Sequence, residues 1–457
     1  MINIFNSILN RVTSIVNKGH ERSVRAKKNI IASFGIKAVG LIISFIKVPI
    51  ILFYLDIDKY GVWLTIASIV DWVHYFDLGI GHGLRNKFAI ALANKDEERG
   101  KKLVSTAYYY VSIIFGGLSV VLIPVIFFLD WQKILNVTTI ENNELLYSVL
   151  IVFVMFVLRF VFNLITMILK ADQKPALADV FLPIGSIISL GAISVLGLFS
   201  KDSLLLACIA IAVPPVLAVF VANFMFFSKR YKTYKPSLKW VDKTHFRDIF
   251  SLGIKFFFMQ MAALVMFSSS NIILTQVVNP SEVTLFNIAR QFYGLPFMFF
   301  GIILTPFWSA ITDAYTKGEY DWIKRAMKKL MYFSILFSFG IIAMLLISDF
   351  AFKIWLKGRV TIPLSISILM VILNIFYIFF APYSHFISGV GKLNLGLRVV
   401  IVKMILFLPI AILLTQQFNA AGLILSLILV NSIPSSIIEV VQYKKIINLN
   451  AKGIWNK

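Results

Sequence analysis

Apolar stretches of about 20 residues, separated by short polar loops, run along almost the whole chain. A helix of that length crosses the hydrocarbon core of a bilayer. The pattern therefore predicts an all-α integral membrane protein with twelve transmembrane helices, here called spans 1 to 12. The spans cover residues 30–54, 60–83, 103–128, 145–169, 177–199, 204–228, 251–277, 283–309, 330–348, 364–387, 399–415 and 420–440.

The two halves of this pattern resemble each other at a constant offset along the chain. Span 1 opens with the sequence SFGIK at 33–37, and span 7 opens with SLGIK at 251–255. Lys174 follows span 4, and Lys392 follows span 10 at the same offset. Because each half has an even number of spans, both run in the same direction, as in transporters built from parallel repeats. We therefore expect two pseudo-symmetric six-helix lobes.

Basic segments mark the borders of these lobes. Residues 1–29 form a cytoplasmic or interfacial N-terminal segment with a mild amphipathic pattern. We assign 30–228 to an N-lobe, 229–250 to a cytoplasmic linker, 251–440 to a C-lobe and 441–457 to a cytoplasmic tail. The short loops elsewhere leave no room for a soluble catalytic domain.

Composition agrees with a membrane protein and excludes a soluble globular domain, since 59% of the 457 residues are hydrophobic and only 14% are charged. The single cysteine, Cys208, lies in an apolar run, so no intrachain disulfide is expected. The first apolar run begins near Ile30, which disfavours a cleavable signal peptide of the usual short kind.

The formal net charge of +22 follows the loops. With the N-terminus inside, the inner loops hold 32 of the 44 Lys and Arg residues, and the outer loops hold six. This bias is the positive-inside pattern, and it predicts that both termini are cytoplasmic. The net positive charge is therefore explained by the orientation of the protein in the membrane and by attraction to anionic lipid headgroups. No nucleic-acid partner is expected.

The remaining six cations lie inside predicted spans. Burying a charge there costs about 2.5 kcal/mol or more, so such residues face a bundle interior or a wet cavity. The six residues are Lys37, Lys47, Arg159, Lys255, Arg290 and Lys403. A membrane protein that buries such a surplus of positive charge is suited to hold an anion.

These cations differ in position. Arg159 is nearest a midplane, with Asn163 one turn later, and Lys47 lies past the midpoint of span 1; both are expected to line a cavity. Arg290 lies about two turns from the outer end of span 8 and Lys37 about two turns into span 1. Near the cytoplasmic ends of their spans, Lys255 and Lys403 fit snorkelling side chains. The predicted substrate-binding set is Arg159, Lys47, Arg290, Lys37 and Lys255, the last extending the path at the cytoplasmic entrance.

Two acids, Asp71 and Asp77, lie at comparable depth, and His74 follows Asp71 by one helical turn. They suit either ion coupling or ion pairing with the cations. The glycine-rich stretch 79–83 ends an apolar span, which does not fit a dinucleotide site. The chain has no P-loop, no HExxH and no Cys/His cluster, so neither an ATP-driven pump, a metal site nor a cofactor is expected.

Three motifs carry a resemblance to a known family. They are DLGIGHGLRNK at 77–87, LTPFWSAITDAY at 304–315 and FISGVGK at 386–392, with VTLFNIAR at 283–290 preceding the second. In their order and spacing, over about residues 25–445, the chain resembles the polysaccharide flippases of the O-antigen (Wzx) type. These belong to the multidrug/oligosaccharidyl-lipid/polysaccharide (MOP) exporter superfamily.

The resemblance implies two six-helix lobes around a central cavity in a bacterial inner membrane. It also implies transport, coupled to an ion gradient, of undecaprenyl-diphosphate-linked oligosaccharide from the inner to the outer leaflet. The implied partners are the lipid-linked oligosaccharide, membrane lipids, a polysaccharide polymerase and a chain-length regulator. The pathway would be O-antigen or capsule export, without enzymatic chemistry.

Alternative functions remain open at this point. A flippase for lipid II or a teichoic-acid precursor has a similar substrate. A multidrug cation antiporter of the same superfamily would prefer acidic residues, whereas spans 1, 4, 7 and 8 carry bases. A membrane glycosyltransferase or polymerase needs a large loop or paired carboxylates, and the longest outer loop, 129–144, has no obvious metal pattern.

Overall fold

The structure is a computed structural model of the full chain, and it describes residues 21–74, 80–199, 202–244, 269–392 and 394–456. The described residues are almost entirely helical, and no β-strand occurs among them. The predicted all-α class is confirmed.

Ten helices make up the first half of the described chain. They are α1 (Glu21–Tyr54), α2 (Ile57–His74), α3 (Ile80–Ala93), α4 (Glu97–Phe128), α5 (Trp131–Ile134), α6 (Asn142–Phe162), α7 (Leu164–Ala171), α8 (Pro175–Asp179), α9 (Phe181–Phe199) and α10 (Leu204–Ser228). The predicted span 2 runs from 60 to 83, but α2 ends at His74 and residues 80–83 belong to α3 together with the basic stretch that follows.

Eight helices follow in the second half of the described chain. They are α11 (Ser269–Val277), α12 (Pro280–Tyr293), α13 (Leu295–Thr316), α14 (Tyr320–Leu346), α15 (Ser348–Trp355), α16 (Leu364–Val390), α17 (Asn394–Ser426) and α18 (Ile433–Ile447). A π-helical segment, Leu427–Ser432, joins α17 to α18. Short 3₁₀ turns cover Lys232–Tyr234, Leu238–Trp240 and Gly453–Asn456.

Seven helical segments in the described part of the chain are long and apolar enough to cross a membrane. They are Glu97–Phe128, Asn142–Ala171, Pro175–Phe199, Leu204–Ser228, Tyr320–Leu346, Leu364–Val390 and Asn394–Ile447, with shorter apolar helices at Ala38–Tyr54 and Leu295–Leu304. Large apolar side chains on their outer faces are exposed, as at Phe128 (89%) and Leu346 (82%). Such faces suit contact with lipid rather than water.

The helices begin where the sequence supplies caps. The Asp96 side chain accepts a hydrogen bond from the Arg99 amide (3.0 Å) at the start of α4. Asn279 accepts one from the Glu282 amide (3.0 Å) at the start of α12, with Pro280 in the first turn. Both side chains satisfy amides that have no partner within the helix, and this fixes the starting residue.

Left-handed backbone occurs at matching places in the two halves, between the same pairs of spans. The matching pairs are Lys95 and Gly318, Asn136 and Gly358, Gln173 and Gly391, and Asp202 and Asn419. The separation along the chain is nearly the same in all four pairs. Since L-residues rarely adopt positive φ, four such matches indicate that the two halves share their loop geometry.

One of these matches explains the repeat of Lys174 and Lys392. The Lys174 amide donates a hydrogen bond to the Leu169 carbonyl (2.9 Å), and the Lys392 amide donates one to the Ile387 carbonyl (3.3 Å). Each bond closes a helix end after a left-handed residue, as in the Schellman motif. The repeat predicted from sequence therefore has a local structural counterpart.

The chain packs into two compact units. Unit 1 comprises Met1–Leu55, Val73–Asp130 and Glu141–Phe258; unit 2 comprises Asp56–Trp72, Trp131–Ile140 and Met259–Lys457. The units follow the two halves except that α2 and the α5 segment group with the second half. The residue bounds of the two lobes, which follow chain order, stay a prediction.

Unit 1 is held by aromatic and small-residue packing. Phe115 stacks on Phe160 with ring centroids 4.2 Å apart. Gly185 of α9 lies against Pro215 of α10, so close that a Cβ there would be 2.4 Å from the proline Cα. Small residues of this kind let transmembrane helices approach closely without a side chain between them.

Unit 2 contains a polar contact between α2, α11 and α12 at their predicted outer ends. Thr65 and Thr275 share a hydrogen bond of 2.6 Å. Ser281 bonds Asp58, and a Cβ on Gly61 would lie 1.8 Å from the Pro280 carbonyl oxygen. The outer ends of these helices are therefore closely packed within this unit.

Candidate functional site

Two of the predicted cations come together in unit 1. Lys47 lies on α1 and is half-buried, whereas Arg159 lies in the last turn of α6 and is exposed. The positive charge of Arg159 acts on the Lys47 ammonium. Two like charges in an apolar setting repel, and an anion that contacts both would offset that repulsion.

A break in the helix sets the position of Arg159. The Asn163 amide donates to the Arg159 carbonyl (2.8 Å), and α6 ends there before α7 begins. The Asn163 side-chain oxygen accepts a hydrogen bond from the Thr166 hydroxyl at 3.3 Å. The break therefore places this arginine at the end of a helical segment in the middle of the predicted span.

Arg290 occupies a comparable position in unit 2. It is exposed in the last turn of α12, and the Gly294 amide donates to its carbonyl (3.0 Å) where α12 gives way to α13. Arg290 lines a cavity of about 400 Å³ together with Ser270, Asn374 and Tyr377. Both units thus place an arginine four residues before a helix break.

Other predicted site residues lie beyond the described structure. The backbone of α1 includes Lys37, and that of α2 includes Asp71 and His74, but their side chains lie outside the description. Asp77 and Lys255 lie in residues the structure does not describe. Their assignment to cavity lining, ion coupling or ion pairing stays a prediction.

The side chain of Lys403 is buried in the structure, whereas the sequence predicts that it snorkels towards the cytoplasmic surface. Snorkelling is wrong for this side chain, because it is only 4% exposed and donates to the Asn431 side-chain oxygen at 3.1 Å. It also bonds the Ser435 hydroxyl. The π-helical segment Leu427–Ser432 carries Asn431, and its wide turn is the kind of local departure often found at functional positions.

Sequence reasoning missed Glu439. This half-buried residue of α18 accepts a hydrogen bond from Ser384 of α16. It lines a cavity of about 240 Å³ with Ser384, His385, Asn431 and Ser435. The available signal was an acid inside predicted span 12, beside a serine pair. Among the described residues no group of three or more His, Cys, Asp or Glu could hold a metal ion.

On the predicted cytoplasmic side, Asp172 ties the end of α7 to the linker. It bonds Tyr231 (2.8 Å) and pairs with Arg230 (2.9 Å) and Lys174 (3.1 Å). Burial would raise the pKa of Asp172, but hydrogen bonds from Tyr231, Lys174 and Arg230 outweigh burial and hold that pKa below its usual range. Burial and the same carboxylate raise the pKa of Tyr231.

The long apolar helices define a multi-pass membrane protein. Residues 26–312, more than half of the chain, match the family described as polysaccharide biosynthesis protein. The chain belongs to this family. No curated protein matches it.

Solved structures show the same fold. A multidrug resistance MATE family transporter of the MOP superfamily, in an inward-facing conformation, matches with a TM-score of 0.67 and 14% identity, over 90% of this chain and 98% of the other. The lipid II flippase MurJ, inward closed, matches with 0.64 and 13% over 92% and 91%. The MATE transporter DinF-BH matches with 0.64 and 16% over 94% and 97%.

These matches confirm the predicted resemblance to the flippases of the MOP superfamily and the predicted twelve-helix, two-lobed fold class. The protein is a multi-pass membrane protein of the polysaccharide biosynthesis family.

Proposed function

We propose that this protein translocates undecaprenyl-diphosphate-linked oligosaccharide repeat units across the bacterial inner membrane by alternating access. The product would serve O-antigen or capsular polysaccharide export. The observation that carries the proposal is the pair of intramembrane cations, Lys47 and Arg159, whose charges act on each other in unit 1.

The chemistry of the cargo fits these cations. A diphosphate offers several anionic oxygens, and a guanidinium binds two of them at once, with the ammonium as a second point charge. The lipid tail stays in the bilayer, so the protein lowers only the barrier for the polar headgroup. No covalent step is required.

Unit 2 offers a second candidate site. The cavity beside Arg290 has walls of Phe286, Phe297 and Tyr377 and few polar groups, which is typical of a site for a small organic ligand. We assign acidic or neutral sugars to this cavity. Lys37 and Lys255 would extend the cationic path, the latter at the cytoplasmic entrance.

The same chemistry bears on the alternatives. Lipid II and teichoic-acid precursors also carry phosphate on a polyprenyl chain, and a flippase for lipid II shares the fold. A multidrug cation would be repelled by Lys47 and Arg159. A glycosyltransferase needs an acid pair near the bilayer face, and the described loops supply none beside these cations.

The amount of surface polysaccharide, measured in cells that depend on this protein for export, tests the proposal. Arg159→Ala should lower surface polysaccharide about tenfold or more, because a charge-assisted hydrogen bond is worth about 1.5–3 kcal/mol. Arg159→Lys should retain part of the activity, since the charge survives without the two-pronged geometry. The control is Lys357→Ala, an exposed residue of a predicted outer loop. Wild-type export by both Arg159→Ala and Lys47→Ala at normal expression would contradict the proposal.

A further inference from the structure

A polar cluster inside unit 2 has no part in the cationic site of unit 1. We call it the α18 cluster and define it as Lys403, Asn431, Ser435, Ser384 and Glu439. Lys403 donates to Asn431 (3.1 Å) and bonds Ser435, while Ser384 donates to Glu439. Buried charges in a membrane helix bundle are costly, so such a set calls for a function.

The cluster connects with the cavity beside Arg290. Tyr377 lies close to Asn431 and Ser432, and the charge of Arg290 acts on it. Tyr377 and Phe297 line both the 400 Å³ cavity of Arg290 and the 240 Å³ cavity of Glu439. Polar side chains therefore line a route from Arg290 past Tyr377 and Asn431 to Lys403.

Helix packing does not account for the cluster. The sequence offset that relates Lys174 to Lys392 also relates Gly185 to Lys403, and it places Val221 opposite Glu439. The first half packs the corresponding helices with uncharged residues, and Gly185 there lies directly against Pro215. The acid and the base are thus an addition of the second half.

The two charges are held apart by hydroxyl partners. Among the described residues, no ion pair joins Lys403 to Glu439; each bonds a different serine, although each feels the charge of the other. Ser384 donates a hydrogen bond to the Glu439 carboxylate. An ionised carboxylate can accept about four hydrogen bonds, so Glu439 can also accept one from the Lys403 ammonium. A change in the charge of Glu439 would therefore change what Lys403 is attracted to.

We propose that Glu439 is a proton-exchange site that couples the proton gradient to the Arg290 cavity; this rests on the proposed transport function. A proton from water in the cavity binds a carboxylate oxygen of Glu439 and later leaves to water by the same route. With Glu439 protonated, the Lys403 ammonium depends on Asn431 and Ser435. With Glu439 ionised, the carboxylate attracts the ammonium away from Asn431, which lines the same cavity as Tyr377.

A proton fits this cluster better than a sodium ion. The oxygens of Asn431 and Ser435, which a metal cation would need, already accept from the Lys403 ammonium. A sodium ion beside that ammonium would be repelled. The inference therefore commits to a proton and leaves sodium as an outcome of the test.

Several titratable groups surround Glu439 on the helices packed against it. On α16, His385 donates from Nδ1 to the Ala381 carbonyl (2.9 Å). Tyr383 of α16 and Tyr443 of α18 pack with ring centroids 5.3 Å apart. Lys403 contributes from α17. The test must therefore include a variant of His385 beside one of Glu439.

Infrared difference spectroscopy of the purified full-length protein in detergent, with the proton as the probe, tests the site without any substrate. We expect a protonated-carboxyl band that rises as the pH is lowered and is absent from Glu439→Gln. His385→Gln should keep the band, as should Glu319→Gln, a change at an exposed glutamate. The same band should appear in sodium chloride and in choline chloride. A spectrum in which Glu439→Gln changes nothing, or a band that responds to sodium at constant pH, would overturn the inference.

A second measurement distinguishes this inference from the proposed function. Surface polysaccharide is measured in cells with Glu439→Gln, Lys403→Met or Tyr377→Phe, beside Arg159→Ala. We expect export to fall in all of them, and the Glu439→Gln variant to lose its response to a proton uncoupler. If Arg159→Ala exports normally while the Glu439 band titrates, transport of a diphosphate is wrong and the proton site stands. If Glu439→Gln exports normally and responds to the uncoupler, the proton site is not coupled to transport, and the inference is wrong.

Discussion

At the scale of single residues, Asp172 shows how charge fixes the inner end of a span. Its pKa lies below the usual range because Tyr231, Lys174 and Arg230 donate to it, in spite of burial that acts the other way. A lowered pKa in the folded state means that the ionised carboxylate stabilises the fold. That stabilisation is present above the unfolded-state pKa of about 3.9 and is lost as the pH falls through the folded-state pKa.

We expect Asp172→Asn to lower the thermal midpoint of the full-length protein in detergent at pH 7. The difference from wild type should shrink as the pH is lowered below about 4, because wild-type Asp172 then takes up a proton. The measurement is a pH series of melting curves, with Asp349→Asn, an exposed residue of α15, as the control. A difference in melting temperature that is the same at every pH would show that Asp172→Asn destabilises the protein for reasons other than the loss of the carboxylate charge.

Residue chemistry also marks the limit of sequence reasoning. Arg159, Lys47 and Arg290 stand out as charges in apolar runs, and the structure places the first two near enough for their charges to interact. Lys403 stands out in the same way, yet its partners, Asn431 and Ser435, lie on a π-helical turn and on the helix after it. Nothing in an apolar pattern predicts that turn, so the cluster with Glu439 could not be predicted from the sequence.

At the scale of helices, glycine decides how closely two elements approach. Gly61 of α2 lies against the Pro280 carbonyl of α12, where a Cβ would be 1.8 Å from the oxygen. Thr65 and Thr275 bond nearby. Since Pro280 is fixed in the first turn of its helix, the backbone there cannot easily give way.

Gly61→Ala should therefore destabilise unit 2, with a lower thermal midpoint in detergent and weaker export. The matched control is Gly117→Ala in α4, where no atom lies within 4 Å of an added Cβ. There alanine should be neutral or stabilise by up to about 1 kcal/mol through its better helix propensity. Equal midpoints for Gly61→Ala and wild type would show that α2 and α12 do not pack in this way in solution.

Helix boundaries could be predicted where the chain carries caps, as at Asp96 and Asn279, and where loops are short. Spans 6 and 10 match α10 and α16 within three residues at each end. Packing partners could not be predicted, because a span pattern does not say which helix faces which. The grouping of α2 with the second half depends on contacts such as Gly61 with Pro280, which join opposite halves of the sequence.

At the scale of the whole molecule, the positive-inside bias predicts the orientation in the membrane. Lys235 of the linker should be cytoplasmic, and Lys357 after α15 should be outside. Single cysteines at these positions, in a Cys208→Ala background, test this with an impermeant thiol reagent on spheroplasts. Cys208 is buried, so its removal only clears the background. We expect labelling at position 357 and none at 235; the reverse would invert the topology.

Transport of a lipid-linked headgroup through a cationic path is the central claim, and flipping in reconstituted vesicles measures it directly. Undecaprenyl-diphosphate-linked oligosaccharide is placed in the inner leaflet of proteoliposomes, and its arrival outside is followed by an impermeant glycosidase. The wild-type protein should expose the oligosaccharide at a rate well above that of protein-free vesicles. Arg159→Ala should be about tenfold slower or more, from the loss of about 1.4 kcal/mol or more of barrier lowering. Equal rates for wild type, Arg159→Ala and protein-free vesicles would contradict the account.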